Sequence, residues 1–402
     1  MKKITLFLIA LAFANTAFSQ GLKISGEMKT GLLWNKYENG LDELNNQNVT
    51  STIGSKDDAG SGPGRFRINV DYFNSDINIG FKFRLNWQKW DDTTVNGEGV
   101  PPWTYAFGYG KFFNNQLTMS LGKLGASPWG TGGPEKWQEV ESLGNTGGIR
   151  FEYEPSFIPG LNAGFVLNGF NGSREEWTKP IDLFLILAET VVGVSYTHDL
   201  FHARIAFRFD SEADSPGRGG GWINGKEGGE LVYRLEERVI RNYLPGFSIW
   251  AMGNVKGIGV DQENIDAGVE YFSTWNWLFF EYAPDLFTAQ LRLGYDAYPN
   301  IDVVYVKPSF YLNLFDKLIK VGASFEYQKD FGELTKVDHP DAAFRFIELK
   351  PLLQVNLSPN AYAALEYSFK QKWIQWSATY KDKDIKPLIQ EQWINIRFCL
   401  TY

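Results

Sequence analysis

An apolar–polar alternation with a period of two returns in segment after segment of this chain and runs to its last residue. In Leu22 to Leu32 one face carries Leu22, Ile24, Met28 and Leu32, and the other carries Lys23, Ser25, Glu27 and Lys29. Phe66, Ile68, Val70 and Tyr72 alternate with Arg65, Arg67, Asn69 and Asp71; Ile79, Phe81, Phe83 and Leu85 alternate with Lys82, Arg84 and Asn86. Phe201 to Phe209 and Phe287 to Tyr295 repeat the texture. Successive side chains of a strand point to opposite faces, so this period reads as β-structure with one apolar and one polar face.

Eight short segments punctuate the strands: Asn74-Ser75, Asn114-Asn115, Pro155 to Gly160, His198-Asp199, Leu244 to Gly246, Pro284-Asp285, Phe315-Asp316 and Ser358 to Asn360. Each contains a residue suited to tight turns. Longer polar segments separate successive hairpins, among them 36–63, 89–103, 125–146, 171–188, 211–228, 330–342 and 377–390. The short turns recur about every 41 residues, which is two strands, a turn and a loop. Propeller blades have a similar period, but their recurring Gly-His and Trp-Asp pairs are missing. Eight hairpins plus a first strand at 22–34 and a last at 391–402 give 18 strands, with both ends on the turn side. Segments 265–282 and 361–380 alternate least cleanly, and without them the count falls to 16.

The charge pattern decides what the apolar face meets. The polar face holds Lys23, Glu27, Lys29, Arg65, Arg67, Asp71, Lys82, Arg84, Arg150, Glu152, Arg204, Arg208, Arg292, Lys320, Glu326, Arg345, Lys350, Glu366 and Arg397. A dry core cannot hold them, so water must reach this face. Aromatic residues gather at both strand ends: Tyr72, Phe112, Phe113, Phe157, Tyr243 and Phe315 beside turns, and Trp34, Trp87, Trp103 and Trp376 towards loops. Two such rings are the girdles expected where a barrel crosses a bilayer. The expected fold is an all-β, transmembrane, antiparallel up-and-down β-barrel of 18 strands, or 16, with short periplasmic turns and long extracellular loops. Residues 1–19 read as a signal peptide, with Lys2 and Lys3 before an uncharged stretch from Ile4 to Ala14 and small residues around Ser19. That leaves 20–402 as a single barrel domain, with no plug expected ahead of the strand that starts at Leu22.

At the carboxyl end Ile394, Ile396, Phe398, Leu400 and Tyr402 alternate up to a terminal aromatic. Here the chain resembles the Gram-negative outer-membrane barrels, and more narrowly the porins. The resemblance implies an outer-membrane lipid setting and recognition of Phe398, Leu400 and Tyr402 by the barrel-assembly machinery. Segment 125–146 is similar to the inward-folded third loop of general porins, including a Pro134-Glu135 pair. That likeness implies a constriction in which Glu135, Glu139 and Glu141 face Arg65, Arg67, Arg84 and Arg150 on the wall; otherwise the segment is an exposed acidic loop. Trp129 and Trp137, on the same segment, would anchor the loop or serve as a track for sugar rings, and the 18-strand count resembles the maltoporin type. Porin resemblance also implies a homotrimer.

Chemistry beyond passage finds little support. The three histidines, His198, His202 and His339, form no His-Glu-x-x-His pair, and no Gly-x-Ser-x-Gly elbow occurs. The glycine runs at 217–221 and 225–229 lack the Lys-Ser or Lys-Thr of a phosphate loop. No metal site or cofactor is expected, and Cys399 reads as a lone thiol facing the lumen. With 39 Lys and Arg against 47 Asp and Glu, the chain has no basic footprint for nucleic acid. The sequence points to passive diffusion of small hydrophilic solutes and ions; a sugar-selective channel and a non-conducting adhesin or structural barrel are the alternatives.

Overall fold

The computed structural model describes residues 21–39, 47–53, 65–87, 103–124, 129, 147–170, 190–209, 229–258, 273–298, 301–331, 344–374 and 388–402. Nineteen strands run through them: β1 (Leu22–Asn39), β2 (Gln47–Ile53), β3 (Arg65–Asn74), β4 (Ile79–Trp87), β5 (Trp103–Phe112), β6 (Leu117–Lys123), β7 (Gly147–Tyr153), β8 (Leu161–Phe170), β9 (Val191–Thr197) and β10 (Phe201–Arg208). They continue as β11 (Gly229–Glu237), β12 (Phe247–Ile258), β13 (Ser273–Tyr282), β14 (Phe287–Tyr298), β15 (Ile301–Leu314), β16 (Ile319–Phe331), β17 (Phe344–Ser358), β18 (Ala361–Ile374) and β19 (Leu388–Thr401). From β3 to β19 each strand pairs antiparallel with the next.

Strand β1 closes the circle. It pairs with β19 from Glu27 to Asn39 on one side and with β3 from Leu22 to Lys29 on the other. Strand β2 belongs to the first loop and pairs with the upper part of β1, from Leu32 to Glu38. The wall is therefore 18 strands around, and β13 and β18 fill the two segments whose alternation is least clean. The cause at β13 is an inverted pattern. Its register aligns Trp275, Trp277 and Phe279 with the inward residues of β14, while Thr274 and Asn276 share the outward face.

The two faces separate as the period demands. On β19 the outward Ile394, Ile396, Phe398 and Leu400 are 38–50% exposed, while the inward Trp393, Asn395, Arg397 and Cys399 are 0–7% exposed. Leu293, Phe310, Leu349, Leu353 and Leu365 continue the apolar outer surface. An apolar exterior around a charged interior inverts a soluble protein and suits a wall standing in lipid. One lumen assignment fails. Arg345 shares its face with the exposed Leu349, opposite to buried Phe346 and Glu348, and lies over the Trp373 ring at 5.0 Å. The alternation of β17 breaks there because a long guanidinium at a strand end can reach polar surroundings from the lipid side.

All eight expected turns occur. Each passes a carbonyl to an N–H on the hairpin that follows it, as Asn78 does to Lys111, Gly160 to Thr197, Gly246 to Ala283 and Asn360 to Thr401. The turns thus form a hydrogen-bonded rim. Two of them hold three consecutive left-handed residues, Phe113-Asn114-Asn115 and Phe315-Asp316-Lys317, with φ of 52–68°. Asn and Asp tolerate this conformation, whereas each Phe carries about 1–2 kcal/mol of strain. The connection from β11 to β12 is longer than a tight turn and contains helix α1 (Val239–Tyr243). On the opposite rim, only residues 299 and 300 separate β14 from β15, so not every loop-side connection is long.

Lys317 Nζ lies 2.6 Å from Asp285 Oδ1 in the adjacent turn, and this hydrogen bond and charge hold the Asp285 carboxyl below its usual range. A lowered folded-state pKa stabilises above the unfolded value and ceases to do so as pH falls through the folded one. Replacing Lys317 by Met should therefore raise the Asp285 midpoint in an NMR titration; an unmoved midpoint would remove the pair. At mid-wall, Leu293→Arg should cost about 2–4 kcal/mol in urea unfolding from lipid vesicles. A neutral result would mean that this face is not in lipid.

Candidate functional site: the inner wall and its docked tryptophan

The inner wall can be assembled strand by strand. Strand β5 supplies an aromatic rail of Tyr105, Phe107 and Tyr109, with ring centroids 5.8 and 6.4 Å apart. Basic groups rest on it. The Arg84 guanidinium lies 4.8 Å from the Tyr105 ring, Arg150 lies 5.6 Å from Phe107, and the Lys82 ammonium lies 5.6 Å from Tyr109. Each is also held by a partner of opposite polarity: Arg84 Nε donates to Asn69 Oδ1 at 2.6 Å, Arg150 lies 2.6 Å from Glu152, and Lys82 lies 3.0 Å from Asp71. Cation–π contact and ion pairing together fix flexible side chains that would otherwise sweep the lumen.

Of the wall arginines expected from sequence, Arg67 and Arg84 sit on neighbouring strands, two register steps apart on one face. Arg150 is three strands away and connects to them through the β5 rail. Arg65 opens β3 opposite Lys29, and its side chain lies outside the described residues.

Trp129 is the described part of the expected constriction segment, and it is fully buried. Its indole N–H donates to Asn162 Oδ1 at 2.7 Å, and Asn162 in turn donates to Glu154 at 2.8 Å. The ring rests on two glycines that face each other in register on β8 and β9, Gly164 and Gly193. A Cβ at Gly193 would come within 2.5 Å of the indole, so the absence of side chains there makes the seat. Phe107, Leu124, Val166, Val191, Ala206 and Val232 pack with it into one buried apolar cluster. Because Asn162 is the second residue of β8, the seat lies towards the turn side. Strand β6 is only seven residues long, and Leu124, directly after it, is buried in the same cluster as Trp129. Glu135, Glu139, Glu141 and Trp137 lie outside the described residues.

The terminal residue is stitched to the first strand. Tyr402 and Gly26 exchange main-chain hydrogen bonds of 2.9 and 3.1 Å, and the Tyr402 ring occupies the space over Gly26. Phe398 and Leu400 face outward beside it.

The sequence reading missed a second aromatic group inside the wall. Trp277 lies 5.1 Å from Tyr305, Trp250 lies 4.8 Å from Phe279, and Arg292 stacks 5.1 Å over Phe279. Gly294 was the available signal, since a side chain there would meet the Trp277 ring. Cys399 is buried on the inward face, as expected. Among the described residues no group of His, Cys, Asp and Glu could hold a metal.

Replacing Gly193 by Val should displace the indole and destabilise the barrel by about 1–3 kcal/mol, and Trp129→Ala should cost about 3–5 kcal/mol. In the double variant the two losses should fall well short of additive in chemical unfolding. Full additivity would show that Gly193 does not act through Trp129.

No protein-family model and no curated protein matches this sequence. Solved structures do match over nearly the whole length. OprB of Pseudomonas putida is 10% identical, with a TM-score of 0.52, and the match covers 97% of this chain and 96% of that one. The outer-membrane channel DcaP of Acinetobacter baumannii is 8% identical, with a TM-score of 0.51, covering 95% and 97%. At such identity the likeness speaks for architecture, and by that measure this chain has the barrel fold of outer-membrane channels.

Proposed function

We propose that the chain is an outer-membrane porin, a passive diffusion channel for small hydrophilic solutes and ions. The observation that carries this reading is a closed wall of 18 strands whose inner face is charged and whose outer face is apolar. A circumference of that size leaves an aqueous channel, and the inner charges need the water it would contain. In this proposal residues 1–19 direct export and are removed, and Phe398, Leu400 and Tyr402 address the barrel-assembly machinery. The mature protein works as a homotrimer in the outer membrane, without catalysis, cofactor or energy input. Segment 125–146 narrows the lumen. Trp129 and Trp137 hold it, and Glu135, Glu139 and Glu141 set a field against Arg65, Arg67, Arg84 and Arg150. The seating of Trp129 on an inner-wall glycine pair supports this role for the segment.

A saccharide-selective channel is the second reading. It is favoured by the inward ring pair Trp277–Tyr305, which offers an apolar face beside charged groups.

Purified mature protein in a planar bilayer should give stable current steps, and Trp129→Ala should enlarge them. Glu135→Gln with Glu139→Gln should move the reversal potential in a salt gradient towards anions. Folded protein with no conductance would refute the porin reading. Sugar-dependent block that Trp277→Ala abolishes would select the saccharide reading. Cross-linking in membranes that yields only monomer would remove the trimer.

A further inference from the structure

From β16 to β18 the outward face is apolar except near its loop-side end. The outward residues on these strands are the odd-numbered ones: Phe325, Leu349 and Leu365 are exposed, whereas Gln328, Glu348 and Ser368 are buried on the inner side. Within the three strands two outward residues are charged, Lys329 and Arg345. Both are cations, and the register sets them directly opposite each other. Lys329 is third from the end of β16 and Arg345 is second in β17, so both stand at the loop-side end of the wall. A cation on a lipid-facing wall is costly at mid-depth and tolerated near the interfaces, which suits this placement.

Like charges directly opposite on a ladder destabilise it unless a counter-charge is supplied. Here each cation rests on a ring instead. Lys329 Nζ lies 4.4 Å from the centre of Phe331, and the Arg345 guanidinium lies 5.0 Å from that of Trp373. The rings hold the cations without neutralising them and leave the N–H edge of the guanidinium open. Among the described residues neither cation has a carboxylate partner. The outward carboxylate of β15, Asp302, faces Phe331 in the register rather than Lys329, and it accepts from the Tyr295 hydroxyl at 3.0 Å. On the other flank the outward residues of β18 and β19 carry no charge. Aromatic rings and long basic side chains meet the polar layer where hydrocarbon gives way to headgroups. Below the pair the apolar face suits acyl chains. At the pair, phosphate oxygens match a guanidinium fork and an ammonium together.

We propose that Lys329 and Arg345, seated on Phe331 and Trp373, form a binding site on the outer wall for the headgroup phosphate of an anionic lipid in the loop-side leaflet. The site rests on the membrane setting of the proposed function and not on conduction. One bound lipid supplies the counter-charge at its head and covers the apolar face of β16 to β18 with its chains.

Native mass spectrometry of the full mature protein, taken from vesicles of equal phosphatidylglycerol and phosphatidylcholine, tests the site. Wild type should retain phosphatidylglycerol in preference, and Lys329→Gln with Arg345→Gln should reduce that preference about tenfold or more. Lys329→Arg with Arg345→Lys, which keeps both charges, should retain most of it. Arg345→Gln alone, at an exposed position, should show a smaller loss and covers the case in which the double variant does not fold. Equal retention of the two lipids by wild type, or a preference unchanged in the Gln variants, overturns the site. Inorganic phosphate at equal concentration should leave the lipid in place; displacement would make this a site for the free anion instead. Oligomers lost in the Gln variant with lipid retention unchanged would assign the face to a second copy of the chain. Folded protein that does not enter vesicles would overturn the membrane setting and the site with it, whereas insertion without lipid preference overturns the site alone.

Discussion

Everything in this molecule depends on the main-chain ladder between its first and last strands. Eighteen strands in a row would leave two edges of unpaired N–H and C=O groups, and in hydrocarbon each such group costs several kcal/mol. The register of β1 on β19, from Glu27–Thr401 to Asn39–Ile389, removes both edges at once. The closing strand also completes the turn-side rim, because Tyr402 exchanges hydrogen bonds with Gly26. Residues 350 to 374 positions apart must meet before both edges of the wall are satisfied, so closure makes the barrel one cooperative unit. Such long-range pairing is slow for an unaided chain.

Closure then divides the interior into two unlike halves. From β5 to β11 the wall carries an apolar cluster capped by Trp129, and nothing polar in that cluster needs water apart from the indole N–H, which Asn162 satisfies. From β12 round to β1 the inward face carries alternating charge and aromatic groups: Arg292 over Phe279, Lys320 over Tyr311, Lys370 over Phe346 and Arg397 over Tyr362. Ion pairs such as Lys307–Glu326 and Lys350–Glu348, at 3.0 and 3.1 Å, run along the same surface. With side chains only 8–27% exposed, each charge in these pairs needs its partner to offset the loss of hydration. Their effect is on the lumen, whose charges they fix in place.

Much of this was legible in the sequence because a strand period of two is a local signal. The eight turns and the strand count followed from it, and β19 shows why: one outward apolar row and one inward polar row need no long-range information. The signal failed where a residue's surroundings come from another part of the chain. On β13 the inward face is aromatic because Trp277 packs with Tyr305 and Phe279 with Trp250, which reverses the local pattern. Arg345 matched the polar row in type, yet its guanidinium sits over Trp373 on the outside. The seat of Trp129 joins residues from β8 and β9, and only two unremarked glycines marked it. Site chemistry was the less readable part, since a lumen is lined by every strand and no short motif spans them.

Among the described residues the wall is of uneven height. Strands β6, β7 and β9 have seven residues, against 13 to 15 in β15 to β19. At a tilt of about 40° these correspond to roughly 18 Å and about 35 Å along the barrel axis. A bilayer has one thickness, so the two sides of this barrel meet it on different terms. On the low side acyl chains have to shorten or the barrel has to lean, and the strain falls on an arc of lipid rather than on the protein. The barrel thereby distinguishes directions in the plane of the membrane, and the arc of compressed lipid is where a neighbour would relieve the most strain.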